Sequence, residues 1–428
     1  MAYRFIPPLT DDDLERIQME GLRFTVRQAW NAPQYRTKLK ACGVKQPEDI
    51  ACLDDLRRLP TVDADDLRQG YPLPLLCVPP HDIVRIHASS GTTGKRKILS
   101  YTQQDLDTFS LQLARCYELA GFTPDDRMQV AVGYGLWTAG AGFQAGSERL
   151  GMLTIPVGPG NLDMHLQLLQ DLGATGFAAT ASMALLLAEE VERAHLRDKI
   201  KLRRVICGSE TRSEKMRQAI ESKLGLDGCY DIAGMTEMYG PGTAIDCHLH
   251  NGLHYWADLF IIEILDPDTL QPVPEGEVGE MVVTSLRKEA VPLLRYRTHD
   301  LSRILPGRCA CGLNMPRHDR ILGRSDDMII YRGVNIYPGQ LMEVIAQFPE
   351  LGGEYQVELT RDEHALDHMR LTVERGQNHG SGDDAGLAQT LERQLHKSLL
   401  ARVSVAIADY ATLPRTFSKS KRIVDKRT

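Results

Sequence analysis

Between residues 82 and 224 the chain alternates short apolar runs with longer stretches of helical period, and this alternation limits the possible folds more than any other feature. The runs 82–86, 129–132, 151–156 and 204–207 have the length and apolar character of strands. Between and after them, residues 103–119, 161–172, 183–195 and 213–224 carry apolar side chains at helical spacing. Parallel strands need a crossover of a dozen or so residues, which a helix supplies, so the pattern predicts a largely parallel, doubly wound sheet. Such sheets receive ligands at the loops beyond their strand ends.

The flanks read differently. Residues 11–28 place Leu14, Ile17, Leu22 and Val26 on one helical face, and a shorter helical segment is expected near 53–59, giving a helical start over 1–75. From 252 to 304 the runs 260–265, 279–283 and 300–305 are strand-like, which predicts a β-subdomain over about 245–320. After residue 323 the pattern restarts with 328–331, 339–347, 355–359, 369–373, 387–399 and 403–408, enough for a separate α+β unit. A chain of 428 residues is too long for one ordinary core. The expected organisation is an α/β protein with a large N-terminal domain over 1–323, containing doubly wound mixed sheets and the β-subdomain, and a small mobile α+β C-terminal domain over 324–428. The polar, glycine-rich stretch 376–386 reads as a mobile loop.

Composition narrows the function. With 43% hydrophobic and 25% charged residues the chain is globular, and a net charge of -7 lacks the basic field that nucleic acid or an anionic membrane surface requires. No apolar run approaches the ~20 residues of a membrane span, and the N-terminus has no cationic start followed by an apolar core, so a cytoplasmic protein acting on small molecules is expected. Nine cysteines are an odd count for a disulfide framework. Cys42, Cys52, Cys77, Cys116, Cys207 and Cys229 stand singly in the sequence and are expected to be buried thiols.

HASSGTTGKRK, residues 87–97, follows the first strand-like run and gathers Ser89, Ser90, Gly91, Thr92, Thr93, Gly94 and Lys95. Hydroxyls, free backbone N–H groups and a cation are what a polyphosphate needs, and the glycines let backbone approach it closely. The Walker-type loop is excluded, because Ser89 stands where its first glycine should be and Arg96 follows Lys95 in place of a hydroxyl.

Four further stretches stand in order behind this loop: YDIAGMTEMYGPG (230–242), RYRTHD (295–300), RILGRSDDMIIYRGVNIYP (320–338) and LPRTFSKSKRIVDKR (413–427). Together with HASSGTTGKRK they closely resemble the phenylacetate-CoA ligase branch of the adenylate-forming, AMP-binding superfamily, over nearly the whole chain. The resemblance implies that ATP converts a carboxylic acid to an acyl-adenylate with release of pyrophosphate, and that a thiol then displaces AMP. It places Ser89 to Lys95 on the β- and γ-phosphates, Thr236 on the α-phosphate, Glu237 on magnesium and Asp300 on both ribose hydroxyls. Gly208, Ser209 and Glu210 would flank adenine, with Asp231 and Arg324 also at the nucleotide. Tyr134, Gly135 and Trp137, with Ala233 and Gly234, would line the acyl pocket. Asp326 would sit at the hinge between the domains, and Lys419 would bridge the substrate carboxylate and the α-phosphate. The family's glycine before that lysine is replaced by Ser418, and Lys421 is the alternative.

The remaining cysteines lie in IDCHLHNGLHYW (245–256) and GRCACGLN (307–314), where thiolates and imidazoles together suit tetrahedral zinc. By resemblance to relatives with a structural zinc the set is Cys247, His254, Cys309 and Cys311, with His248 the alternative to His254. The expected activity is an aryl- or arylacetate-CoA ligase using an aromatic acid, ATP and coenzyme A. The nearest alternative is a relative that adenylates a deazaflavin cofactor without coenzyme A, and a nucleotide-binding regulator without turnover is a third class. The resemblance also suggests a homodimer.

Overall fold

The computed structural model describes residues 3–89, 96–210, 212–325, 329–332, 334–336, 338–362, 366–377, 379–380, 382–399, 401–413 and 422–427. The first helix, Asp11–Ala29, starts where Thr10 Oγ1 accepts the N–H of Asp13 at 3.2 Å and Asp13 Oδ2 accepts the N–H of Thr10 at 3.1 Å. This reciprocal cap satisfies two otherwise orphaned donors, and Asp11, Asp12 and Asp13 put negative charge at the positive end of the helix dipole. Leu22, Thr25, Val26 and Ala29 form its buried face.

Among the described residues, nine strands form the largest sheet, in the order Ile304–Leu305, Arg317–His318, Leu253–Tyr255, Gly240–Asp246, Gly228–Met235, Arg204–Gly208, Gly176–Thr180, Arg127–Val130 and Leu153–Pro156. The last five run parallel, and the rest are antiparallel. The doubly wound half is as the alternation predicts, with Gly228–Met235 as the strand at which pairing changes sense. One face is covered by the helices Gln103–Leu119 and Thr138–Leu150 through Phe109, Leu113, Tyr117 and Phe143. The other is covered by Leu162–Asp171, Ala181–Arg193 and Glu214–Leu224 through Leu169, Leu187, Val191 and Ile220.

A second, antiparallel sheet joins Phe260–Leu265, Gly279–Ser285, Tyr296–Ser302 and Gly323–Arg324. Beyond it, the hairpin Ile329–Tyr331/Val334–Ile336, the sheet Ser404–Ala408, Asp367–Arg375, Leu351–Arg361, Ile423–Asp425 and the helices Pro338–Ile345 and Asp384–Leu399 enclose their own apolar cluster.

Several expectations need correction. The run at 82–86 begins as a 3-10 turn, Pro80–Asp82, and the strand is Arg85–Ala88, which pairs with Ile98–Tyr101 as a separate hairpin. Val84 and Ile86 remain exposed, so their alternation does not mark a sheet core. The segment near 53–59 is the 3-10 helix Leu53–Arg58. Thr138–Leu150 is a helix that its sequence, TAGAGFQAGSERL, hides, because small residues carry little apolar period. They serve close packing: a Cβ on Gly146 would stand 2.3 Å from Leu113 Cβ on the neighbouring helix. Cys42 and Cys52 are exposed, one capping the end of the helix Pro33–Ala41 and the other opening the 3-10 turn. Cys207 and Cys229 are buried but not single, with sulfurs 3.8 Å apart across neighbouring strands. The stretch 376–386 includes residues outside those described, and its end, from Asp384, is helical. Among the described residues no helix is long and apolar enough to cross a membrane.

One buried ion pair ties these layers together. Arg115 on Gln103–Leu119 donates through Nη1 and Nη2 to the two oxygens of Asp258 at 2.7 and 2.9 Å, and through Nε to the Phe5 carbonyl at 2.9 Å. Both side chains are nearly inaccessible. Removing one partner strands the other charge, so Asp258→Ala should cost roughly 3–5 kcal/mol of stability, while Asp258→Ala combined with Arg115→Met should recover part of it. Urea midpoints of the single and double variants check this.

Candidate active site

The strand where the large sheet changes sense ends in a cleft of about 540 Å3. A crevice at such a switch is where open α/β sheets take ligands. Ser209 and Glu210 enter it from the end of Arg204–Gly208, Asp231, Ala233 and Gly234 from Gly228–Met235, and Asp300 and Arg324 from the second sheet. Its remaining wall comes from the C-terminal unit, through Met342, Tyr355 and Arg422 among others. The strands meet tightly here: a Cβ on Gly208 would lie 2.2 Å from the Ile232 carbonyl oxygen, and Ser209 takes a left-handed φ of 68°.

Thr236 and Glu237 follow in a buried 3-10 turn, Thr236–Met238. Both of its leading carbonyls are held. Tyr101 donates its hydroxyl to the Thr236 carbonyl at 2.8 Å, and Lys288 donates Nζ to the Glu237 carbonyl at 2.7 Å. Lys288 is fully buried, its ammonium 4.8 and 5.0 Å from the ring centroids of Tyr101 and Tyr239, and burial pushes it down to about 8. The Glu237 carboxylate accepts from Lys97 Nζ and, at 3.0 Å, from the Tyr296 hydroxyl. Burial alone would raise this carboxyl, but the Lys97 charge and these hydrogen bonds outweigh it and hold it below the usual range. A second cavity of about 330 Å3 runs from Lys97, Glu237 and Tyr296 to Asp300 and Arg324, and so adjoins the first.

Asp300 pairs with Arg324 across neighbouring strands, Nη1 to Oδ1 at 3.1 Å. Asp231 is raised to about 6 by burial first of all, with Arg212 opposing and Asp246 adding to the rise. A third, smaller cavity of about 40 Å3 lies against Thr236 and is walled by Trp137, Phe143, Gly208 and Gly234. Thr138 and Thr236 bring their hydroxyls within 3.5 Å at its edge.

Tyr134 and Gly135 do not line that small cavity. Gly135 supplies a positive φ of 82° to the loop, and the Tyr134 ring packs over Gly140, where a Cβ would stand 2.7 Å from it. Ala233 faces the larger cleft. The Leu136 carbonyl accepts the Ala88 N–H at 2.7 Å and lies 3.2 Å from His87 Nδ1, which joins this loop to the start of HASSGTTGKRK. Burial lowers His87 to about 4, and its ring stacks on Phe109 with centroids 5.8 Å apart. The Ser89 N–H donates to the Lys97 carbonyl at 3.2 Å. Ser90, Gly91, Thr92, Thr93, Gly94, Lys95, Asp326, Lys419 and Lys421 lie outside the described residues.

Away from the cleft, Cys247, His254, Cys309 and Cys311 converge, their sulfurs and one imidazole nitrogen all within 4.8 Å of one another. Cys311 Sγ is 3.3 Å from His254 Nε2, while His254 Nδ1 is 2.8 Å from the Met315 carbonyl. Bonding of Nδ1–H to a carbonyl leaves Nε2 as the free lone pair, and burial lowers His254 to about 4, so the ring is a neutral donor. His248 is exposed and outside the cluster.

Sequence reasoning missed Lys97, Lys288, Tyr296 and Arg422. Lys97 and Tyr296 lie inside stretches already singled out, two residues past Lys95 and four before Asp300. Lys288 carries no local signal, since only the fold brings it beneath Glu237.

The family model for AMP-binding enzymes matches residues 21–286, and the model for the AMP-binding enzyme C-terminal domain matches 333–427. A phenylacetate-coenzyme A ligase of Escherichia coli (strain K12) is 40% identical over 423 residues, covering 97% of this chain and 95% of the relative. A crystal structure of a 2-hydroxyisobutyryl-CoA ligase in its postadenylation state, bound to R3-HIB-AMP, is similar with a TM-score of 0.88 and 27% identity, covering 100% of this chain and 95% of that one. The same enzyme in its thioester-forming state gives a TM-score of 0.71 at 27% identity and the same coverage. The chain therefore belongs to the adenylate-forming AMP-binding enzymes and, within them, to the phenylacetate-coenzyme A ligase family.

Proposed function

We propose that this AMP-forming acid–thiol ligase activates an aromatic acid, an arylacetate such as phenylacetate first among them, and passes the acyl group to coenzyme A. The observation that carries the reading is the meeting, at one switch point, of the large cleft and a small pocket that reaches Thr236, the two sharing Ser209, Gly234 and Met235 as a common wall. A pocket of about 40 Å3 has no room for a long acyl chain, and its Trp137 and Phe143 walls would offer aromatic faces to an aryl ring once they part to admit it.

A carboxylate is a poor electrophile because its leaving oxygen is too basic. In the proposed reaction its oxygen attacks the α-phosphorus of ATP, pyrophosphate departs, and the thiol sulfur then attacks the acyl carbon, expelling AMP. Thr236 would donate to the α-phosphate, and Asp300 would accept both ribose hydroxyls, which its two oxygens can do. Gly208, Ser209, Glu210 and Asp231 would flank the base, with Arg324 orienting Asp300. The loop from Ser89 to Lys95 would hold the β- and γ-phosphates. Lys419, or Lys421, would bring its charge to the forming anhydride, with Asp326 as the turning point of the C-terminal unit. Glu237 is an ionised carboxylate at the polar cavity, a donor that fits a hard cation, and magnesium bound there would neutralise phosphate charge. Lys97 and Tyr296 hold that carboxylate in place.

The sulfur and imidazole set fits tetrahedral zinc in kind, number and spacing, and all four ligand positions are protein-supplied, as in a structural site. It would tie the stretch after Gly240–Asp246 to the loop bearing Cys309 and Cys311.

Three measurements bear on this reading. Acid-dependent pyrophosphate release should occur without coenzyme A, thioester and AMP should need it, and aromatic acids should outrun long aliphatic ones. Equal rates with a fatty acid would refute the pocket assignment, and pyrophosphate without any thioester would favour adenylyl transfer to another acceptor. Glu237→Gln should lower pyrophosphate release by about 100-fold or more while the chain stays folded by circular dichroism. Purified chain should contain one zinc, and Cys309→Ser should lose it together with thermal stability. A full complement of zinc in that variant removes the site.

A further inference from the structure

Three buried polar atoms on residues lining the large cleft have no partner among the described residues: the Thr243 hydroxyl and two of opposite charge, Glu210 Oε1 and Arg422 Nε. A buried donor or acceptor left unmade costs more than a typical bond returns, so a pair of opposite kind on one cavity marks what its ligand supplies. The two come from different units. Glu210 follows the strand Arg204–Gly208, and its other oxygen accepts from the Ser182 hydroxyl. Arg422 opens the strand Ile423–Asp425 of the C-terminal sheet.

Arg422 is held from several directions. Its carbonyl accepts the Val357 N–H at 2.7 Å, and Nη2 lies 3.3 and 3.4 Å from the two oxygens of the buried Glu354. Nη1 is 3.6 Å from Met342 Sδ, and the guanidinium sits 5.1 Å from the Tyr355 ring centroid. Nε is the guanidinium nitrogen without a partner among the described residues, and it is pre-positioned rather than floppy.

On the reading of this cleft as an ATP site, we propose that Arg422 is a specificity-determining residue supplied by the C-terminal unit: its Nε–H donates to adenine N1, which carries a hydrogen in hypoxanthine and cannot accept, while Glu210 Oε1 accepts from the adenine amino group. Adenine offers an amino donor beside ring-nitrogen acceptors, which complements this pair. Hypoxanthine, in ITP, replaces the amino group with a carbonyl oxygen and sets it against the Glu210 carboxylate. The nucleobase is thereby read from both units at once, and the docked position of the C-terminal unit is favoured by nucleotide.

The test is acid-dependent pyrophosphate release with ATP and with ITP by wild-type chain, Arg422→Lys and Glu210→Gln. Lysine keeps the charge opposite Glu354 but has no Nε–H. Arg422→Lys should raise KM for ATP about tenfold with kcat within about threefold, the loss of one charge-assisted hydrogen bond, and should narrow the ATP-over-ITP preference. Glu210→Gln can donate to the hypoxanthine oxygen and should raise kcat/KM for ITP above the wild-type value, a gain that general damage cannot produce. An unchanged KM and ATP-to-ITP ratio in Arg422→Lys, or an equal loss with both nucleotides carried by kcat, overturns the proposal and leaves the ligase reading intact. Wild-type chain that releases no pyrophosphate from ATP with any acid removes both.

Discussion

Two ammonium groups meet the turn Thr236–Met238 from different sides, and the cleft depends on the balance between them. Lys97 faces the Glu237 carboxylate and Lys288 the Glu237 carbonyl. A buried carboxylate by itself would take up a proton, because a low-dielectric surrounding disfavours charge. With Lys97 against it Glu237 stays ionised, and the anion is available to a cation without a proton having to leave first. Lys288 performs a different task. Placed over the Tyr101 and Tyr239 rings, it fixes the backbone of the turn while sending no side-chain donor to the Glu237 carboxylate. One lysine therefore sets the charge of the side chain and the other holds the backbone that carries it.

This division depends on the sheet. Gly228–Met235 pairs in parallel with Arg204–Gly208 on one side and antiparallel with Gly240–Asp246 on the other. Where the pairing reverses, the chain must turn back immediately, and Thr236–Met238 is that turn. The glycines around it allow the close approach: a Cβ on Gly234 would lie 2.3 Å from the Gly240 carbonyl oxygen. This turn is thus closely packed, with Thr236 and Glu237 side chains aimed by backbone that has few alternatives.

Much of this was legible in the residues and some could not be. The parallel half of the large sheet follows from apolar runs separated by helical stretches, because that periodicity is set by burial on two faces. Gln103–Leu119 and Phe260–Leu265 have the bounds their apolar spacing indicates. The antiparallel half was obscured, since Gly240–Asp246 and Leu253–Tyr255 read as a motif and a possible metal loop rather than as strands. Within the site, Asp300, Arg324, Ser209 and Glu210 share one cleft, as residues drawn from ordered motifs should, whereas Tyr134 and Gly135 serve the loop's own shape. Lys288 was invisible for a physical reason: a buried lysine is recognised by its partners, and its partners Glu237, Tyr101 and Tyr239 are distant in sequence. The choice of His254 over His248 likewise needed the fold, which buries one and exposes the other.

An acyl-adenylate places contradictory demands on such a protein. It must be kept from water once formed, and then it must be opened to a thiol. A cleft whose wall belongs entirely to one rigid body can meet only one of these demands. Here Met342, Tyr355 and Arg422 close the large cavity from a unit with its own apolar cluster, joined to the rest through polar contacts such as Arg320 to Glu343 at 3.2 Å. Exposed pairs of this kind contribute little and are easily exchanged. The described arrangement is more similar to a ligase structure captured after adenylation than to the same enzyme forming its thioester. A wall with its own core and weak polar contacts to the rest can part from the cleft at little cost, without disturbing the sheet that aims Thr236 and Glu237.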